Sequence, residues 1–99
     1  MKVRGAMTQQ AAEGIAIQAL SFIAGDGERL GRFLAVTGIG PTEIRAASRE
    51  PGFLAGVLEY LAADEQLAAA FAAEVQCRQD DIARAHVALG GEPWEREIP

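Results

Sequence analysis

Residues 37–53 read TGIGPTEIRAASREPGF. Glycines and prolines punctuate two short apolar-periodic stretches here, and their order decides how the chain folds. Gly38 stands where a helix ends in the left-handed conformation, which a residue without Cβ adopts freely. Pro41 suits the first position of the next helix, where its missing N–H would be unpaired in any case. Pro51 disfavours helical geometry at Glu50, so the helix begun at Pro41 stops at Arg49 and a new one opens at Pro51. The segment therefore predicts a helix end, a tight corner, a short helix over 41–49 and a further helix start.

The same grammar extends in both directions. Downstream, Phe53, Leu54, Val57, Leu58 and Leu61 recur as one face of an amphipathic helix over 51–63. Asp64 caps a helix over 65–76 with the stripe Leu67, Ala70, Phe71 and Val75. A last helix runs over 79–89, with Asp80 as cap, Asp81 at its positive end, and Ile82, Ala85, His86 and Leu89 inward. Upstream, Thr8 caps a helix over 9–24 carrying Ala12, Ile15, Ala16, Ala19, Leu20, Phe22 and Ile23. Gly25-Asp26-Gly27 ends it, and Asp26 caps a helix over 27–37 with Leu30, Phe33, Leu34 and Thr37 on one face.

Composition agrees. The 99 residues are 49% apolar and 23% charged, which suits one small globular domain. Alanine is abundant and no stretch alternates as a strand would. The expected fold class is all-α, a single compact bundle of five to six short helices. Residues 1–8 read as a flexible N-terminus, 9–90 as the helical domain and 91–99 as an irregular tail. The apolar runs fall short of the ~20 residues that span a bilayer. Lys2 and Arg4 precede no apolar run, so MKVRGAMTQQ is not expected to be a secretory signal, and Met7 offers an alternative start. The single cysteine, Cys77, forms no internal disulfide, which fits a cytoplasmic location.

The net charge of −5 does not favour polyanions, yet it is unevenly spread. Residues 1–49 hold six cations and four anions, giving +2, and residues 50–99 hold three cations and ten anions, giving −7.

Residues able to do chemistry are few. His86, the lone histidine, falls on a helix's apolar side, and Asp81 points elsewhere around that helix. It reads as a half-buried histidine satisfied by a carbonyl or water. Cys77 lies nine residues away across a helix break and reads as a small buried thiol. One histidine and one cysteine cannot make a zinc site from soft ligands alone, and Asp80-Asp81 lacks the spacing of a calcium loop. A Gly-Lys-Ser/Thr phosphate loop is absent. No catalytic, metal or cofactor-binding residue and no cofactor are expected, and the protein reads as non-enzymatic.

Two nucleic-acid readings compete at the opening segment. As a helix-turn-helix, Gly38 and Ile44 have the turn-to-core spacing, and helix 41–49 would present Thr42, Arg45, Ser48 and Arg49 outward. As a helix-hairpin-helix, Gly38-Ile39-Gly40 would offer backbone N–H groups to a phosphate. Against both, residues 26–52 carry four cations and four anions. The same four residues suit an acidic protein partner. Tyr60 on the apolar arc of helix 51–63 and Trp94 in the tail are the candidate protein-interface residues, although such an arc more often faces a core. Arg29, Arg32, Arg45 and Arg49 suit an acidic partner too, the acidic second half of another copy included.

Several ordered motifs resemble a family of small uncharacterised bacterial proteins, a domain of unknown function. They are Ala19 to Ala24, Glu28 to Leu34, Thr37 to Arg45 (TGIGPTEIR) and Pro51 to Leu61 (PGFLAGVLEYL). Asp64-Glu65 with Leu67, Phe71-Ala72, and Ala83-Arg84 with Leu89-Gly90-Gly91 continue the series. The resemblance covers about four-fifths of the chain, departs mildly at Gly25 and over Gln76-Cys77-Arg78-Gln79, and implies one small helical domain. It lends no catalytic or binding residue. The expected role is protein–protein contact with an unidentified partner or self-association as a homo-oligomer, with nucleic-acid binding through helix 41–49 as the alternative.

Overall fold

The computed structural model describes residues 7–90; the expectations for residues 1–6 and for the 91–99 tail, Trp94 included, lie outside the described residues. The elements are α1 (Gln9–Ala24), α2 (Gly27–Thr37), α3 (Ile44–Ala47), α4 (Pro51–Ala62), α5 (Glu65–Val75) and α6 (Gln79–Ala88). The described chain is all-α and forms a single bundle.

Local chemistry sets the helix starts. The Thr8 hydroxyl accepts the Ala11 N–H, Asp26 accepts the Glu28 N–H and Asp64 accepts the Leu67 N–H. Each satisfies a donor that the first turn of a helix leaves open. Two helix ends use left-handed backbone. Gly38 (φ 77°) returns its N–H to the Leu34 carbonyl, and Gln76 (φ 60°) does the same to Ala72.

α1, α4 and α6 pack mutually and form the centre; α2 lies on α1, and α5 lies on α4, α6 and α1. The core gathers Ala12, Ala16, Ala19 and Ile23 from α1, Phe33 from α2, Val57, Leu58 and Leu61 from α4, Phe71 from α5, and Ile82 and Ala85 from α6. The alanines of α1 let it approach its neighbours closely. The apolar arc of α4 is thus spent inside: Leu54, Val57, Leu58 and Leu61 are buried, with Phe53 and Tyr60 at its edge.

Four expectations are corrected. The helix expected over 41–49 is one turn, Ile44–Ala47, preceded by a turn at 41–43. Glu43 accepts the Gly40 N–H through its carboxylate, while its own N–H goes to the Gly40 carbonyl, so a closed turn replaces the first helical turn. Behind it, the Arg49 and Glu50 N–H groups reach back only three residues, to Ala46 and Ala47, which tightens and ends the helix. Asp80 does not cap α6; Asp81 accepts the Arg78 N–H and also pairs with Arg84 at 3.0 Å. On α5, Ala70 is exposed and Ala68, Phe71 and Ala72 take the inner face. Thr37 is exposed, its hydroxyl donating to the Phe33 carbonyl.

Candidate interaction surface

The corner at Gly38–Gly40 uses its own donors. The Gly38 N–H binds the Leu34 carbonyl, the Ile39 N–H binds Thr37 Oγ1 at 3.3 Å, and the Gly40 N–H binds Glu43 Oε1 at 3.1 Å. A helix-hairpin-helix needs such N–H groups turned to a phosphate. Here they are internally satisfied, and a carboxylate occupies the place an anion would take. The corner is an architectural reversal between α2 and α3.

The four residues expected on a recognition helix scatter over a turn and a single helical turn. Thr42 lies in the turn before α3 and is exposed, Arg45 lies within α3, and Arg49 follows it. Ser48 is half-buried and donates its hydroxyl to the Arg45 carbonyl at 2.7 Å. Arg45 and Arg49 are exposed and make no ion pair among the described residues. The α3 segment therefore presents two available guanidinium groups on a short rigid corner, without the long helix that inserts into a groove.

Tyr60 is half-buried, its ring edge-on to Phe33 with centroids 5.1 Å apart. It belongs to the packing of α2 on α4. Arg29 is likewise engaged: its guanidinium stacks over Phe22 at 4.0 Å from the ring centroid and lies 4.0 Å from Asp26.

What remains outward on α2 is a face on which the sequence singled out Arg32 but not Val36. Val36 is 67% exposed, the most exposed large apolar residue described. Arg32, one helical turn before it, is exposed and makes no ion pair among the described residues, and Gly31 and Ala35 beside them are exposed as well. Asp26, Glu28, Arg29 and Arg32 form one wall of an open cleft of about 290 Å³. The other wall is the start of α5, with Asp64, Gln66, Leu67 and Ala70. α2 and α5 do not pack closely on one another, so both outward faces address the same side of the molecule. The omitted signal was in the helical wheel. Val36 falls off the Leu30–Phe33–Leu34–Thr37 stripe, and an apolar residue off the stripe has no core to enter.

The reactive side chains sit away from this cleft's lining. His86 is 4% exposed, within the core, and its Nε2 lies 3.9 Å from the Glu59 carboxylate at the surface. Cys77 is half-buried; burial raises its thiol pKa, and Asp81 raises it further against the pull of its own backbone N–H. Among the described residues, no group of three or more His, Cys, Asp or Glu could hold a metal ion, and no helix is long and apolar enough to cross a membrane.

Neither a curated protein nor a solved structure matches the chain. A family model does, over residues 9–92, a span that takes in every helix from α1 to α6. On that match the chain belongs to DUF3572, a family of proteins of unknown function.

Proposed function

We infer that this domain is a non-enzymatic binding module that works by protein–protein contact through the outward face of α2 and the corner behind it. The observation that carries this reading is Val36, 67% exposed, with Arg32 one turn before it and Arg45 and Arg49 beyond the corner, all without an ion pair among the described residues. An exposed apolar residue with an arginine one helical turn away matches the composition of protein interfaces, where arginine is enriched and a desolvated apolar centre supplies the energy. A histidine buried in the core and a half-buried thiol whose pKa is raised by burial suit a role without catalysis.

The test is photocrosslinking in the native cell, with a photoreactive residue replacing Val36 and, as control, Gln10, which is exposed on α1. Discrete protein adducts from position 36 and none from position 10 are expected. Equal or absent labelling at the two positions would count against the surface.

A further inference from the structure

We propose that the occupant of this surface is a second copy of the same chain, docked about a two-fold axis so that α2 of each copy lies on α5 of the other. The proposal rests on the interaction reading above and names its partner.

Three observations converge. First, the two faces are neighbours across one open cleft, with Arg32 on one wall and Ala70 on the other. A two-fold axis along that cleft brings the α2 face of each copy onto the α5 face of the other, and the contact closes as an isologous dimer. Second, the faces fit in size. The outer side of α5 carries exposed Ala69, Ala70 and Ala73, a shallow strip able to receive Val36. On α2, Gly31 has open space where a side chain would be, and it precedes exposed Ala35 by one turn, so a partner helix approaches closely. Third, the charges are complementary. Arg32 on α2 and Glu74 on α5 are both exposed and make no ion pair among the described residues. Glu74 is one turn after Ala70, as Val36 is one turn after Arg32. In the dimer, Arg32 of each copy faces Glu74 of the other. Over the two helices, α2 holds two cations and one anion and α5 two anions and no cation, which acts in the same sense.

Sedimentation velocity of the full chain over a wide concentration range, at low and high salt, tests this. The wild type is expected to pass from monomer to dimer, with the transition moving to higher concentration as salt rises. Val36→Asp and Arg32→Glu should each raise the dissociation constant about tenfold or more while leaving the circular dichroism unchanged, and the melting curve unchanged at concentrations where the wild type is monomeric, since both positions are exposed. Arg32→Glu combined with Glu74→Arg should recover dimerisation. A wild type that stays monomeric throughout overturns the second-copy proposal; adducts to a different protein from position 36 would then leave the interaction reading standing. A dimer indifferent to both single substitutions overturns the assignment of the surface.

Discussion

The ring of Phe33 stands edge-on to that of Tyr60, their centroids 5.1 Å apart and their planes at 82°. Phe33 meets Phe53 in a second edge-on contact at 6.2 Å. Phe33 is the one fully buried residue of α2, so these two α4 rings hold the helix whose outer face carries Arg32 and Val36. These rings on α4, together with the packing of α2 on α1, position the interaction surface, and its stability and its binding are separable by mutation.

Phe33→Ala should therefore destabilise the fold by about 3–5 kcal/mol, a large share of the roughly 5–15 kcal/mol expected of such a domain. Tyr60→Phe keeps the ring and should stay within about 0.5 kcal/mol of wild type. A double-mutant cycle of Phe33→Ala with Tyr60→Ala should return a coupling of about 0.5–1.5 kcal/mol. Urea unfolding followed by circular dichroism measures all three, and no coupling would mean the rings merely abut.

Gly38 and Gly14 should answer alanine with opposite signs. Gly38 holds φ +77°, where a Cβ strains the backbone, so Gly38→Ala should cost about 1–2 kcal/mol. Gly14 sits inside α1 with open space around it, so Gly14→Ala should stabilise by about 0.5–1 kcal/mol. Thermal melts of the two variants against wild type decide it, and a shared sign would refute the assignment at Gly38.

Helix boundaries were legible because punctuation residues act locally. Thr8, Asp26, Gly38 and Asp64 perform the capping their chemistry predicts, and the all-α class follows from them. Where a rule depends on a competing side chain, it failed. Pro41 was read as opening a helix, but Glu43 closes a turn onto Gly40 instead, leaving α3 a single turn. Asp81 rather than Asp80 reaches the Arg78 N–H, because with Arg78 flanking the first helical residue Asp81 stands at the third helical position, from which a side chain folds back onto that N–H. The candidate surface was half legible: Arg45 and Arg49 stood out as cations, while the α2–α5 cleft depends on how two helices lie across others. The packing of Tyr60 against Phe33 was not legible because the two lie 27 residues apart in sequence.

Nucleic acid should not be a ligand of the corner. A four-residue helix is about 6 Å long, and the N–H groups of Gly38, Ile39 and Gly40 are already bonded. Fluorescence anisotropy with mixed duplex DNA and RNA at low salt should show no salt-sensitive binding, and Arg45→Ala/Arg49→Ala should change nothing. Tight binding abolished by that double variant would restore the recognition reading.

Cys77 should titrate late. Burial disfavours its thiolate, the Asp81 charge adds to that, and its own backbone N–H only partly offsets them, so the folded pKa lies above the ordinary value of 9.0. A thiol with a raised folded pKa contributes stability that is full below the unfolded pKa. That contribution fades as pH rises through the folded pKa, because the unfolded chain releases its proton first. The window is thus alkaline, and neutral pH leaves the fold untouched. Alkylation with iodoacetamide should run more slowly at pH 8 on the folded chain than on the chain in denaturant, and the rate curve of the folded chain should be displaced to higher pH. Asp81→Asn removes the neighbouring charge and should move that curve part of the way back, which separates the Coulombic cause from burial. An Asp81→Asn curve that coincides with wild type would leave burial as the whole cause, and a folded chain as reactive as the denatured one would contradict the shift itself.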